Sequence, residues 1–594
     1  MLTMKFEIFK FLPYLAVLLT FKTCVSSYES HQYCIIGAGP GGLQMAYFLD
    51  STGRDYVVFE RNSKAGEKNV EFNWRHDWNS LLSHDESLVM GRYSDEYFPH
   101  ADDLVTYFND YAEKLKLRIK YNTEVSNISE IKEANSTQNV FEMNDSEGNL
   151  YRCNVTIVST GISLANIPKG AIGIDNAVGY ESMSMNLTTY EGKDVLILGQ
   201  GNSALEIAKF ISPVANKIHL VGRNGLRQSW STHYVGDVRG INRDFLDGMQ
   251  LRFMDSIAYI EAQNIVFKKT LKNKIGLKLR DPFSKRVIGK GQNNNILRNE
   301  YDHIIRCLGF QFDDSIFNGS TKPFRLKDDL SKYPFLRDSY ESVNIPNMYF
   351  AGSLAHSRDY RKSSGGFIHG FRYSIRALHQ MLEWKYHGNP WPSSRLSTDA
   401  LLYKILKRIN EASGIYQMFG AFADIIVIDE NGSHYYLEDV PIHIIPKLEE
   451  RTGVPIQKKM FVLTFEYGKK FTGERTDTLS PGRIHINWTE AHKCNFIHPK
   501  IYYYEEPVTA LETSGALPPP TKLHHVVEDF LTHWDKIGSH IIPIKRFLAN
   551  MLKEDLNNYY ADSCFEMMML HKSAPPSCYR GQFMSRHPVF YLGF

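Results

Sequence analysis

Two glycine-rich turns carry the residue types and spacing best suited to chemistry in this 594-residue chain. The first runs Cys34-Ile35-Ile36-Gly37-Ala38-Gly39-Pro40-Gly41-Gly42-Leu43 and leads to Glu60. An apolar strand over 33–36, a helical pattern from Leu43 to Leu49, a break at Gly53 and a second strand over 56–60 give one βαβ unit of the size expected for a dinucleotide fingerprint. The glycines have distinct roles. Gly37 makes the tight turn, Gly39 lets a pyrophosphate approach the backbone, and Gly42 lets helix and strand pack closely. The free N–H groups and positive end of the helix then hold the anion. Glu60, at the end of the second strand, can accept hydrogen bonds from ribose hydroxyls.

The second turn repeats the plan: Asp194-Val195-Leu196-Ile197-Leu198-Gly199-Gln200-Gly201-Asn202-Ser203-Ala204, with Ala204 in the third-glycine slot. The pattern predicts strand 194–198, helix 202–212 and strand 217–221. This second strand leads to Val221-Gly222-Arg223, with no acid there. A carboxylate would repel a 2′-phosphate, whereas an arginine can pair with it bidentately. Arg223 therefore favours NADPH over NADH. The alternatives are that Arg223 only faces solvent, or that Arg227 takes the phosphate. Two such units in series suggest FAD in one domain and a nicotinamide cofactor in the other.

Further segments carry a family resemblance. Thr156-Ile157-Val158-Ser159-Thr160-Gly161, His303-Ile304-Ile305-Arg306-Cys307-Leu308-Gly309-Phe310 and Asn347-Met348-Tyr349-Phe350-Ala351-Gly352-Ser353-Leu354 follow in the order FAD, NADPH, FAD. This resembles the flavin-containing monooxygenase and thioredoxin-reductase superfamily over residues 33–385. The resemblance implies an α/β fold with two Rossmann-like dinucleotide-binding domains, the FAD domain discontinuous and the NADPH domain inserted in it. It places the first segment of the FAD-binding domain at 28–165, the NAD(P)-binding domain at 166–310, the second FAD-binding segment at 311–390 and a C-terminal α+β region at 391–594. It sets Gly161, Gly352 and Ser353 beside the flavin cofactor and brings the helix opened by Ser364-Gly365-Gly366-Phe367 to the flavin ring, where its dipole favours the charge that develops on reduction. Asn73-Trp74 and Trp78-Asn79 fall where relatives place flavin-facing residues. Asn79 is carried as a contact, and the tryptophans read better as packing. The arginine-rich run Arg358, Arg361, Lys362 is either phosphate-facing or solvated. His356 and His369 either touch the flavin or are hydrogen-bonded structural histidines.

Two departures bear on the reaction. The monooxygenase signature FxGxxxHxxx(Y/F) is missing, since residues 170–185 offer Gly179-Tyr180 but no histidine. No CxxC pair occurs, so dithiol chemistry needs a second redox centre elsewhere or on a partner.

The N-terminus reads as a secretory signal over 1–27, with Lys5 and Lys10, an apolar core from Phe11 to Phe21, and small residues at Cys24, Ser26 and Ser27. A retained signal-anchor is the alternative. Sequons stand at Asn127, Asn135, Asn144, Asn154, Asn186, Asn318, Asn431 and Asn487. Asn154, directly before an expected buried strand, is a poor acceptor. The resemblance is then closest to an ER-lumenal branch linked to ER-associated degradation of misfolded glycoproteins. It implies a thioredoxin-like co-chaperone and a ubiquitin-ligase adaptor as partners. The ending Phe590-Tyr591-Leu592-Gly593-Phe594 has no KDEL-like address, so ER residence rests on the resemblance or on a retained partner, and secretion is the alternative. Six cysteines remain after Cys24, too few for a disulfide scaffold. Cys34 and Cys307 read as buried reduced thiols, and Cys564 and Cys578 as able to pair. A net charge of +2 gives no nucleic-acid face. No metal motif appears.

Beyond Asn389-Pro390-Trp391-Pro392, the pattern predicts a helix over 398–412, a hairpin joining Asp424–Ile428 to Tyr435–Leu437, and strands at Met460–Tyr467, Arg483–Trp488 and Asn495–Tyr504. Helical periodicity covers 523–555. The expected appendage packs on the FAD domain, its aromatics serving as its own core or as a surface for unfolded chains. Three functions fit: hydride transfer from NADPH through FAD to a thiol/disulfide partner, flavin monooxygenation, and a non-catalytic, FAD-containing binding module.

Overall fold

A computed structural model describes residues 28–60, 75–85, 87–96, 98–132, 139–228, 234–238, 242, 245–248, 257–284, 286–290, 297–327, 330–429, 433–456, 459–468, 483–485, 487–528, 534 and 536–556. The expected signal at 1–27, Asn73, Trp74, Asn135, Asn431, Cys564 and Cys578 lie outside the described residues. No helix among the described residues is long and apolar enough to cross a membrane.

The first sheet is built on β1 (Tyr28–Ile36), β2 (Tyr56–Phe59) and β3 (Leu150–Val158). β1 lies between the other two and is parallel to both. Its apolar run 33–36 is buried throughout, as a strand covered on both faces must be. Helix α1 (Pro40–Ser51) returns between β1 and β2, with proline in its first turn, where the missing N–H costs nothing. β3 forks. Its first half pairs antiparallel with Asn139–Asp145, and its second half pairs parallel with Met348–Phe350 far along the chain. The sheet is therefore made of two sequence segments, with a second domain between them.

That second domain has its own parallel sheet. β4 (Asp194–Leu198), β5 (Lys217–Gly222) and β6 (His303–Arg306) run with Ile257–Tyr259 on one edge and Val178–Gly179 on the other. Helix α2 (Asn202–Ile211) joins β4 to β5. A short antiparallel pair, Leu164–Ala165 with Phe310–Gln311, ties the two crossings between the domains.

The expected architecture, two Rossmann-like units with the second inserted in the first and an α+β appendage, is what the chain adopts. The appendage is an antiparallel sheet. β7 (Ser393–Ser397), β8 (Phe422–Ile428), β9 (Ser433–Pro441), β10 (Lys459–Glu466), β11 (His498–Tyr504) and β12 (Lys522–His525) lie in the order β7-β9-β8-β10-β11-β12. Its aromatics Tyr436, Phe461, Phe465 and Tyr503 are buried, so they form a core. That core is continuous with the first domain through α3 (Ile368–His387), which packs on α1 on one side and on the appendage on the other.

Three expectations fail. Cys34 is not a free thiol: it is bonded to Cys153, joining β1 to β3 where parallel pairing sets the Cα atoms 5.9 Å apart. Arg483–Trp488 is not a strand; the Asn487 side chain accepts the Thr489 N–H and starts a single turn over Trp488–Lys493. Residues 522–525 are strand rather than helix, because the open edge of β11 offers them a hydrogen-bonded ladder. Among the described residues the helix begins with a π-helical segment over Ile537–Ile541 and continues as α4 (Ile542–Leu552), with Pro543 in its first turn. Asn154 lies within β3, directly before its buried run 155–158, with an exposed side chain.

A buried ion network fixes the appendage to the first domain. On helix Thr398–Glu411, Arg408 holds Asp424 through Nε at 2.6 Å and Nη2 at 2.9 Å, and Nη2 also reaches Asp439 at 3.0 Å. The other oxygen of Asp439 accepts from Arg376 of α3. Burial alone would raise the Asp439 carboxyl, yet Arg408 and Arg376 hold it below the usual range. Removing one member of such a group strands charge in the interior, at about 3–5 kcal/mol. Arg408→Met should lower the unfolding free energy by about that amount in urea titration. Lys407→Met, which breaks only the exposed pair with Glu411, should stay within about 0.5 kcal/mol of the parent.

Candidate functional site: two dinucleotide cradles on one cavity

The first cradle forms where β1 ends. Gly37 turns with φ of 97°, a conformation that excludes most side chains, and its N–H donates to Phe59 O at 2.8 Å. A Cβ on Gly42 would stand 1.8 Å from the Gly37 carbonyl oxygen, so α1 can sit against this turn only because position 42 has no side chain. One Glu60 oxygen accepts the Ala38 N–H at 2.7 Å, which fixes the carboxylate against the turn. A cavity of about 340 Å³ opens here, lined by Gly37, Gly39, Pro40, Gly41, Glu60, Gly161, Gly352 and Ser353. Gly42 lies beneath it rather than in its wall. The turn after β3 adds Ser159 and Thr160, whose hydroxyl oxygens are buried with no hydrogen-bond partner. Glycine-lined walls, N–H groups at a helix start, a fixed carboxylate and two unsatisfied hydroxyls suit a dinucleotide with its diphosphate at α1.

The second cradle repeats the geometry. Gly199 turns with φ of 127°, and a Cβ there would stand 2.1 Å from the Cys307 carbonyl oxygen. A cavity of about 580 Å³ is lined by Gly199, Gly201, Arg223, Arg227 and Arg361. The orphaned Gln200 Oε1 belongs to the same wall. Asn202 and Ser203 do not line this cavity. The Asn202 amide donates to Asp237 O at 3.2 Å and accepts from Asn242 at 3.1 Å, while Ser203 lines a small neighbouring pocket with Cys307. Burial pushes the Cys307 thiol up to about 12, which keeps it protonated and unreactive.

A third cavity, about 520 Å³, connects the two. It shares Ser353 and Phe371 with the first cradle, and Gly236 and Lys332 with the second. Trp78, Asn79, Phe98, Tyr234, Tyr333, His356, Phe367 and His369 stand among its other walls, as does Asn202, which thus borders this cavity and not the second. Asn79 therefore stands in the wall of the cavity common to both cradles, and its N–H donates to Asp77. His369 stacks on Trp78 at 5.3 Å, and burial, with Arg372 nearby, pulls it down to about 3, so the ring in this wall is neutral. Among the described residues no cysteine lines this cavity or the first cradle.

The arginine-rich run after the last glycine motif is neither wholly solvated nor wholly turned to the second cavity. Arg361 lines that cavity while its Nη2 donates to both oxygens of Asp237, at 2.7 and 2.8 Å; Arg358 donates to Leu336 O and Lys362 to Ser514 O. Ser159 and Thr160 stood inside a motif already visible in the sequence. Tyr234 and Tyr333 carried no signal, because they come from loops whose course only the tertiary structure sets.

The appendage reaches this site through the loop bearing Trp78 and Asn79. Arg75 donates to Ala412 O at 2.9 Å and Ile409 O at 2.6 Å, satisfying carbonyls left open at a helix C-terminus. Gln417 donates back to Arg75 O. From the other side Arg372, fully buried on α3, donates to Ser80 O at 2.9 Å and Asp77 O at 3.1 Å.

Residues 34–352, more than half of the chain, match the family described as pyridine nucleotide-disulphide oxidoreductase. Over 96% of its length the chain is 40% identical to FAD-dependent oxidoreductase domain-containing protein 2 of Mus musculus, covering 91% of that protein. The Danio rerio protein of the same name is 39% identical over 93% of this chain and 88% of its own. Among solved structures, a bacillithiol disulfide reductase of Staphylococcus aureus aligns with 60% of this chain and 99% of its own at 15% identity and a TM-score of 0.45. Matched through both fingerprints and, with those relatives, over nearly its whole length, this chain belongs to the pyridine nucleotide-disulphide oxidoreductase family as an FAD-binding oxidoreductase.

Proposed function

We propose that the protein takes hydride from NADPH, holds it on FAD, and passes the electron pair to a disulfide acceptor in the ER lumen. The observation that carries this reading is the third cavity, whose walls belong to both cradles. Two cofactors seated in those cradles would both border this cavity. When bound, the flavin supplies the two-electron chemistry, and the protein's role is orientation and electrostatics. Gly37, Gly39, Pro40 and Gly41 would hold its diphosphate, Glu60 a ribose, and Gly161, Gly352, Ser353 and Asn79 the remainder toward the ring. Gly199 and Gly201 would receive the nicotinamide dinucleotide. Arg223, with Arg227 beside it in the same wall, would pair with a 2′-phosphate.

The compartment rests on two supports. The Cys34–Cys153 bond is characteristic of an oxidising environment. Sequon residues Asn127, Asn186 and Asn487 are exposed, as glycan acceptors must be. The acceptor belongs to a partner on this reading, since no cysteine among the described residues lines the flavin-side cavities. A thioredoxin-like co-chaperone fits that role, with a ubiquitin-ligase adaptor delivering misfolded glycoproteins to degradation. The binding-module alternative loses its footing in the appendage, whose aromatics Tyr436, Phe461, Phe465 and Tyr503 are spent on its own core.

Two substitutions test the cradles separately. Gly42→Ala should yield colourless protein, because the methyl cannot coexist with the Gly37 carbonyl; flavin released on denaturation, counted per chain, reads this. Arg223→Ala should raise the NADPH concentration for half-maximal anaerobic bleaching by about 10–100-fold, in line with one lost charge-assisted contact, and leave NADH nearly unchanged. Equal shifts for the two nucleotides would remove Arg223 from the phosphate site.

A further inference from the structure

Within the third cavity, three side chains form a hydrogen-bonded chain that the binding of either nucleotide leaves unexplained. The Asp359 carboxylate accepts from His356 Nδ1–H at 2.9 Å, and its other oxygen accepts the Gly365 N–H at 2.8 Å. With Nδ1 carrying hydrogen, Nε2 is the acceptor, and the Tyr234 hydroxyl donates to it at 3.0 Å. His356 and Asp359 are nearly fully buried, at 2% and 6% exposure, while Tyr234 and His356 both line the cavity. The chain also crosses the domain boundary, since Tyr234 belongs to the inserted domain and the dyad to the last segment of the first.

The surroundings are built to hold this chain. A Cβ on Gly365 would stand 2.3 Å from Asp359 Oδ1, and one on Gly366 would stand 2.6 Å from His356 Cδ2. The paired glycines let the backbone close on the dyad from behind. Tyr333, Tyr360 and Phe367 set their edges against the imidazole. Arg361, tied to Asp237, lies over the Tyr234 ring at 4.9 Å, and Lys332 lies over Tyr333 and Tyr360. The charged and titratable groups around the imidazole are thus Asp359, Tyr360 and Arg361 from its own segment, Tyr234 and Asp237 from the inserted domain, and Lys332 and Tyr333 from the preceding loop.

We propose that Tyr234 and His356 form a proton relay, with Asp359 as its positioning residue, that delivers the proton consumed when the electron pair leaves this cavity for a disulfide. This rests on the disulfide acceptor of the proposed function. A hydride brings two electrons and one proton. Breaking the S–S bond with that pair leaves two sulfur anions, which need two protons to become thiols. The hydride's own proton covers one. The other comes from solvent: His356 Nε2 takes it up first, forming an imidazolium held by Asp359, and Nε2–H then refills the phenol oxygen as the Tyr234 hydroxyl, turned away from Nε2, gives its own proton to the departing sulfur; the ring returns to its resting Nδ1–H form. The sum is NADPH + H⁺ + RSSR′ → NADP⁺ + RSH + R′SH. Burial raises the Tyr234 phenol above its ordinary value, which disfavours a free tyrosinate and suits transfer of both protons together.

A leaving-group contrast tests this. The full-chain flavoprotein is reduced anaerobically with dithionite, freed of excess reductant and mixed with 5,5′-dithiobis(2-nitrobenzoate) or oxidised glutathione while the flavin band returns. The aromatic thiol leaves without help, whereas the alkyl thiol needs a proton. Tyr234→Phe and His356→Gln should slow reoxidation by oxidised glutathione ~10²-fold or more and leave the aromatic disulfide within about 3-fold. Asp359→Asn should fall between. Equal slowing with both disulfides, or no slowing with either, would overturn the relay while leaving the nicotinamide reaction standing. A wild type that reacts with neither disulfide would sink the relay and the thiol arm of the proposed function together. A readout free of turnover is ¹⁵N-histidine NMR, with His356 assigned by its loss in His356→Gln, or by its shift in Tyr234→Phe should that variant alone fold. The wild type should show the Nδ1–H tautomer and Asp359→Asn a gain of Nε2–H. An Nε2–H wild type would overturn the chain as drawn.

Discussion

Close approach of backbone to backbone, at turns that admit no side chain, is the constraint on which the rest of this structure depends. At the first cradle, α1 rests on the Gly37 carbonyl through the bare Cα of Gly42. At the second, the turn at Gly199 meets the Cys307 carbonyl just past β6. Both turns set a helix start over the ends of parallel strands, where unpaired N–H groups and the helix dipole accumulate. The parallel sheets follow from burial of apolar strands, but it is this contact that turns a strand–helix connection into an anion seat. The third cavity exists because two such seats, one inserted within the sequence of the other, open toward each other.

The appendage is bound into the same arrangement. It shares one apolar core with α3, and the network of Arg408, Asp424, Asp439 and Arg376 joins its sheet to that helix. Arg75, bound to carbonyls at the end of Thr398–Glu411, and Arg372, bound to Asp77 and Ser80, hold the loop carrying Trp78 and Asn79 from opposite sides. The position of Asn79 in the central cavity thus depends on residues far along the chain. A site that reads as two dinucleotide domains is also held in place by the appendage.

Much of this was legible in the sequence, for physical reasons that single out what was not. Glycines at fixed offsets between a strand and a helix report their own geometry, so Gly37, Gly39 and Gly199 could be placed without a structure. The hairpin of β8 and β9 announced itself by two strand-like runs around Asn431-Gly432. Helical periodicity over 523–555 held from Ile537 to Leu552 and failed at its start, because periodicity cannot register an open strand edge and β11 offered one to Lys522–His525. Cys34 was misread because its partner lies 119 residues away, a distance at which only strand pairing decides the match. The chain Tyr234–His356–Asp359 was invisible for a similar reason. His356 and Asp359 are near neighbours in sequence, yet nothing local marks Tyr234 as the residue that completes them.

The most direct test of two cofactors meeting in one cavity is anaerobic stopped-flow reduction of the flavin by NADPH bearing deuterium at its transferable position. Hydride that passes directly from one ring to the other should bleach the flavin band, and deuterium should slow that bleaching several-fold. Flavin-loaded protein that keeps its colour under excess NADPH would contradict the shared cavity as a site of hydride transfer.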